Sequence, residues 1–425
     1  MQPPPALDAG VVDGGEIART PPPPAPPAEV KLPSYLAWTE WVRIYGFAQI
    51  DYLFSQLSQN QLDPTNGQPL NMNRIFVRRA RLGAEIERPY IAGRIEFDGN
   101  TINGPTARII DAEASIRWPG ATPDDPPLVM GTIGLFKIPF GFEIGQPDTE
   151  RLFMERSLME TAFFPGEYDL GIRVRGGWRF LRYAVAFMNG EPLGEKSYPG
   201  IDPNSSKDIV GRVGIVTRPA RELYVQGGVS MLEGTGFHPG TLQTKSILVW
   251  QDLNNNGVYD NGETNVIPGA ALVPSQSFNR FALGADLLLA YDEQPGWTST
   301  LYGEIITAQN LDRGLQPADP IAANRNLREF GYYVAFTQLV AKYAEVGARY
   351  SFYNPDQDAT YSVIATPVPL DASDSTWSLT AAAVSKYGRF IVEVDLNQNH
   401  MGRDAAGNPA NLASNAFIIR GEVKF

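Results

Sequence analysis

From residue 41 to its end the chain is divided into short segments in which apolar and polar residues alternate. The links between those segments are themselves alternately long and short. Segments near 42–53, 73–88, 90–100, 107–118, 128–138, 168–178, 181–190, 207–218, 222–232, 278–291, 297–309, 328–339, 341–352, 376–386, 387–397 and 414–425 read as sixteen strands. Period-two patterning places successive side chains on opposite faces of a sheet. Links after odd strands are mostly long: 54–72, 139–167, 191–206, 233–277, 310–327, 353–375 and 398–413. Links after even strands are mostly short, such as Pro89, Arg179-Phe180 and Pro219-Ala220-Arg221. An even count with the long connections at one end predicts an all-β fold, a transmembrane antiparallel β-barrel of 16 strands. Its long loops are then extracellular and its short turns periplasmic.

The faces of the strands fit lipid outside and water inside. In 171–179, Ile172, Val174, Gly176 and Trp178 oppose Arg173, Arg175, Gly177 and Arg179. In 110–118, Ile110, Ala112, Ala114, Ile116 and Trp118 oppose Asp111, Glu113, Ser115 and Arg117. In the last strand Phe417, Ile419, Gly421, Val423 and Phe425 oppose Ile418, Arg420, Glu422 and Lys424. An Arg or Lys facing hydrocarbon at mid-depth costs roughly 2–4 kcal/mol, so the charged rows are expected inward.

No stretch reaches the about 18 consecutive apolar residues of a spanning helix; the run Phe281 to Tyr291 is broken by Asp286. There are no cysteines, which excludes disulfides and thiolate chemistry. The net charge of −12 argues against nucleic acid as a partner. Residues 1–40 are expected to form a Pro-rich periplasmic N-terminal extension, a flexible tail or a semi-rigid tether to peptidoglycan or an envelope protein, with the barrel at 41–425. The start carries no basic segment followed by an apolar core, so a mature or trimmed form is expected.

Four stretches together resemble the phosphate-selective porin O/P family: 73–83 (NRIFVRRARLG), 134–141 (GLFKIPFG), 153–158 (FMERSL) and 168–173 (YDLGIR). The terminal Phe425 is similar to the assembly signal of outer-membrane barrels. The resemblance implies a sixteen-stranded porin of the Gram-negative outer membrane, usually a homotrimer, with both termini periplasmic and a third loop folded inward. That constriction loop would be 139–167. Its partners would be outer-membrane lipid, lipopolysaccharide and small hydrophilic or charged solutes, phosphate or other anions among them.

The expected constriction loop holds Glu143, Asp148, Glu150, Glu155, Glu160 and Glu167 against Arg151 and Arg156. An acidic ring repels phosphate and favours cations. Expected pore-lining residues are Arg79, Arg81, Arg94, Asp111, Glu113, Arg117, Arg173, Arg175 and Arg212, with Glu85, Glu87, Glu96 and Asp98 as acidic neighbours. Opposed walls of paired charge then orient polar solutes across a narrow eyelet.

Residues 252–263 (DLNNNGVYDNGE) fit a calcium-loop pattern. Asp252, Asn254, Asn256, the Val258 carbonyl, Asp260 and Glu263 would hold Ca²⁺, and Gly257 allows the turn. The flanking residues do not read as helices, so the alternative is an Asn/Gly-rich turn at a ribbon tip. The expected function is that of a porin for passive diffusion of small solutes. The alternative is a surface adhesin or envelope scaffold that uses the leader and loop 233–277. Enzymatic activity is not expected, because the only histidines, His238 and His400, fall in loops without a recognisable nucleophile.

Overall fold

The computed structural model describes residues 41–56, 73–120, 122, 125–195, 198, 200–363, 366–400, 402–403 and 409–425. The Pro-rich extension lies outside them. Sixteen strands form one closed antiparallel barrel. They are β1 (Val42–Ser55), β2 (Arg74–Glu87), β3 (Ile91–Asn100), β4 (Thr106–Trp118), β5 (Val129–Lys137), β6 (Tyr168–Trp178), β7 (Leu181–Met188) and β8 (Asp208–Thr217). They continue as β9 (Leu223–His238), β10 (Gln276–Gln294), β11 (Trp297–Gln309), β12 (Arg328–Val340), β13 (Ala344–Asn354), β14 (Asp374–Ser385), β15 (Gly388–Gln398) and β16 (Ala416–Lys424). All sixteen sequence-predicted strands are present.

The seam closes where β16 pairs with β1, from Phe47↔Lys424 to Ser55↔Ala416. Phe425 completes it: its N–H donates to the Gly46 carbonyl at 3.0 Å, and Gly46 N–H donates back to its carbonyl at 3.2 Å. A Cβ on residue 46 would sit 2.6 Å from the Phe425 ring, so glycine is needed for this approach. Closure leaves no unpaired edge, which a sheet in hydrocarbon requires.

Alternation is visible in exposure. Ile116, Trp118, Ile133, Ile172 and Val423 are exposed, while Ser115, Thr132, Arg173, Arg420 and Glu422 are buried. Exposed aromatic residues gather near the short turns: Trp41, Tyr90, Trp118, Trp178, Phe180, Tyr343, Tyr387 and Phe425. Nearer the long connections, Phe330, Tyr332, Tyr350, Phe352 and Trp377 form a chain of ring contacts with centroids 5.0–6.3 Å apart. Two aromatic belts flanking an apolar band are what a membrane-spanning barrel presents to its two interfaces.

The barrel has three register shifts among the described residues, one of them beside the turn after β10, between Asp292 and Gln294; the other two break the expected alternation. In β2 the register slips between Gln49 and Ile50, so Val77 and Arg79 are paired and Arg78 is the extra residue. In β4 the slip between Glu96 and Phe97 leaves Ile110 unpaired, and it is buried with Leu135 and Tyr168. Ile110 was expected on the outer face. An inserted residue inverts the parity of the rest of its strand, and strict alternation cannot register it.

The turn joining β12 and β13 places both Ala341 (φ 50°) and Lys342 (φ 60°) in the left-handed region without glycine. Two consecutive left-handed residues in a hairpin turn favour Asn-Gly. Lys342→Gly is expected to raise the unfolding free energy by about 1 kcal/mol. Urea midpoints in phospholipid vesicles would show it; an unchanged or lowered midpoint would mean the turn carries no such strain.

Candidate functional site

The segment between β5 and β6 lies inside the barrel. Its contacts reach strands all round the wall, which only a central position allows. Gly141 N–H donates to Ser230 Oγ of β9 at 3.0 Å. Phe142 and Glu143 N–H groups donate to the Glu304 carboxylate of β11 at 3.1 and 3.2 Å. Met154 N–H donates to Glu393 of β15 at 3.0 Å, and Arg420 of β16 donates to the Met154 carbonyl at 2.8 Å. Arg78 of β2 donates to Glu155 at 2.5 Å. Gly141 opens the inward turn with φ 61°, and a side chain there would overlap the Glu304 carboxylate.

The loop carries its own core. Phe140, Phe142, Ile144, Phe153, Met159, Phe163 and Phe164 are buried with wall residues Ala282, Tyr302, Ile306, Tyr333, Ala335 and Tyr353. Phe163 meets Tyr353 edge-on at 5.4 Å, and Phe142 meets Tyr302 at 5.6 Å. A short helix, α1 (Leu158–Phe163), is capped by Ser157, whose hydroxyl donates to Glu143 at 2.7 Å. The inner face of β10–β13 is therefore apolar where the loop covers it. A wet lumen was expected; apart from Asp286 on the inner face, the run Phe281 to Tyr291 is apolar on both faces, one towards lipid and the other in the core shared with the loop.

The acids of the loop are mostly consumed by partners. Glu143 accepts from Arg349 at 3.1 Å. Asp148 lies 2.6 Å from Arg81 and also pairs with Arg151. Glu167 is 3.2 Å from Lys137, 3.1 Å from Arg156 and 3.8 Å from Arg151. Glu150 is half-buried, its N–H on the Pro147 carbonyl at 3.0 Å. Glu160 is fully buried, and both its oxygens lack a hydrogen-bond partner among the described residues. Burial, with Glu304 and Glu143 nearby, pushes its carboxyl well above the usual range. Glu155 differs: its side chain stays 38% exposed, facing Arg78, Arg79 at 3.5 Å and Arg420 at 3.1 Å. An acidic ring was inferred from the loop's charges alone; the wall's arginines convert it into ion pairs and one hydrated strip of mixed sign.

The remaining wall residues pair across strands. Arg94 lies 3.2 Å from Glu85 and 3.8 Å from Asp111. Arg173 lies 2.8 Å from Glu113, and Arg212 grips Asp286. Arg175 reaches Met130 Sδ at 3.5 Å. Arg117 stands apart at the short-turn end, holding the Arg88 carbonyl at 2.8 Å beside Glu87. Sequence reasoning put Arg420 on the inward face without assigning it to the site, and missed Arg78, Arg349 and Arg389, the last of which donates to the Arg151 carbonyl at 2.8 Å and to Glu422 at 2.9 Å. The run Val77-Arg78-Arg79 carried the signal for Arg78: two adjacent arginines cannot alternate without one meeting lipid, so a bulge was implied.

The 252–263 segment tips a two-stranded ribbon, Ile247–Trp250 paired with Thr264–Ile267, so the helices of a helix–loop–helix unit are absent. Asp252 accepts the Asn256 and Gly257 N–H groups at 3.1 and 2.8 Å. Asn256 Oδ1 accepts Val258 N–H at 2.7 Å, and the Asn254 and Asn256 amides each donate to Asp260 at 2.8 Å. Glu263 accepts from Trp250, Leu253 and Asp260. These bonds hold the Asp260 and Glu263 carboxyls below their usual range. Among the described residues no three His, Cys, Asp or Glu side chains converge as metal ligands do.

Fold and site together define a membrane-spanning barrel of sixteen strands, partly closed by one of its own loops. The chain is similar in fold to solved structures of OmpT, an outer membrane protein of Vibrio cholerae. The trimer form is 12% identical over 90% of this chain and 99% of that one, with a TM-score of 0.49. The outer-membrane expressed form is 9% identical over 90% and 97%, with a TM-score of 0.48. No protein-family model and no curated protein matches the sequence.

Proposed function

We propose that this protein is an outer-membrane porin through which small hydrophilic solutes diffuse passively past the loop 139–167. The observation that carries this reading is the hydrated strip: Glu155 and Arg78 keep 38% and 25% of their side-chain surface in water, whereas the loop's other paired acids, Glu143, Asp148 and Glu167, keep 2%, 1% and 7%. Opposite charges side by side on a hydrated strip favour polar solutes over apolar ones and give weak rather than strict ion preference. The long connections face outward, both chain ends lie on the periplasmic side, and the barrels assemble as a homotrimer. Phosphate is one candidate solute among anions, and no chemical step is assigned to the barrel. Reconstitution in a planar bilayer tests this: stepwise current increments are expected in salt solution, and folded, inserted protein without them would refute the channel.

A second reading rests on a different observation. The ribbon at 247–267 exposes Ile247, Leu248, Trp250, Leu253, Val258, Tyr259, Val266 and Ile267. Exposed apolar residues on a projecting ribbon suit a docking element for an envelope or surface partner. Deleting 242–272 is expected to leave conductance intact, so a loss of attachment in that variant would assign adhesion to the ribbon and transport to the barrel.

We propose further that Ca²⁺ rigidifies the ribbon tip through Asp252, Asn254, Asn256, the Val258 carbonyl, Asp260 and Glu263. Three carboxylates at this spacing supply the hard oxygen ligands the ion prefers. Protease cleavage within 250–265 should slow in millimolar calcium and recover in chelator; equal rates in both would dismiss the site.

A further inference from the structure

A cavity of about 140 Å³ opens at the long-loop end, between the connection after β7, the meeting of β9 with β10, and the connection after β11. Arg280, Glu191 and Glu195 line it together with Tyr198, Phe237 and Phe278. Arg280 is 5% exposed, and its Nε and Nη1 have no hydrogen-bond partner among the described residues. Its guanidinium lies 3.7 Å from Glu191 and 5.5 Å from the Phe278 ring centroid. Glu191 and Glu195 are 1% and 5% exposed, and Oε2 of each also has no hydrogen-bond partner among the described residues. The neighbouring Arg313 donates to the Gly190 carbonyl and to Asp208 at 2.8 Å each, while its Nε, 4.0 Å from Glu195 Oε2, is left open in the same way. Buried donors and acceptors left open side by side are costly unless something else completes them.

The charges restrict what that can be. Glu191, Glu195 and Asp319, which also lines the cavity, repel an anion approaching Arg280. Arg280 in turn repels a simple cation approaching the two glutamates. Burial pushes Glu191 up to about 8, which brings the site closer to neutrality. The opposite side is aromatic, with Tyr198 meeting Phe237 edge-on at 5.6 Å. Such walls accept the C–H face of a ring while polar groups at the base take hydroxyls.

We infer that this cavity is a mouth subsite for an uncharged polyhydroxylated ring of monosaccharide size, whose hydroxyls bridge Arg280 to Glu191 and Glu195 while a ring face lies on Phe237 and Tyr198. Its role in solute capture rests on the channel reading; its chemistry does not.

Calorimetric titration of the detergent-solubilised full chain with D-glucose tests it, with L-alanine as the zwitterionic arm and acetate as the anionic one. Saturable glucose binding is expected. Phe237→Ala, on the cavity wall, and Glu191→Gln should each weaken it about tenfold or more. Retained heat-modifiable migration on gels shows that the variants are folded. Failure of the folded wild type to bind glucose at high millimolar concentration overturns the inference. So does affinity unchanged in both variants, or binding of alanine or acetate in place of glucose. Single-channel recording of the same preparations separates the two readings. Conductance without glucose binding removes the subsite alone, and glucose binding without conductance removes the channel alone.

Discussion

Single-channel conductance should rise severalfold when residues 142–164 are replaced by a short Gly-Ser link. The segment places six large apolar side chains, Phe142, Ile144, Phe153, Met159, Phe163 and Phe164, inside the barrel against β10–β13, and no ion can share that volume. The wall beneath it is ready for contact, not for water: Tyr302, Tyr333 and Tyr353 would become newly hydrated, and Arg349, Glu304 and Glu393 would lose their loop partners. A subtler variant reaches the same end. Arg349→Leu strands the buried Glu143, and breaking a buried pair in this way costs about 3–5 kcal/mol. The loop should then detach part of the time, seen as flickering current and as protease access to 150–165. Unchanged conductance in the replacement variant would show that the narrowest point lies elsewhere.

Ion preference should turn on Glu155. In Glu155→Lys the hydrated strip keeps Arg78, Arg79 and Arg420 and gains a fourth cation. Fixed charge of one sign at a constriction selects the opposite ion, so chloride should come to dominate the current. In a potassium chloride gradient the reversal potential is expected to move by tens of millivolts toward the chloride limit. Arg78→Glu should move it the other way. Glu155→Gln, which removes the charge without adding one, should lie between wild type and Glu155→Lys. Three variants with one common reversal potential would show that selectivity is set outside the strip.

The barrel was legible because lipid imposes a simple rule. Outward side chains such as Ile116, Ile172 and Val423 must be apolar over the whole belt, and that demand is written locally with period two. Tight turns such as Arg179-Phe180 punctuate it. The inward loop was legible only through resemblance, and its charges read in isolation pointed to an acidic ring. The groups that neutralise them come from residues distant in sequence: Arg349 lies 206 positions from Glu143, and Arg420 lies 265 from Glu155. No local pattern links such partners. Arg78 was missed for a related reason, since a bulge is a property of two paired strands and alternation is a property of one.

By itself the sequence determined the strand number, the side that faces lipid and the end that carries the long loops. These features arise from backbone hydrogen bonds that must be met within the sheet and from side chains that must match the medium they touch. Tertiary structure alone decided how the interior is divided between a dry aromatic core and a narrow charged strip. Inside a closed barrel, each wall residue meets whatever the opposite wall and the loop bring to it, and that pairing exists only once the seam between β1 and β16 has closed.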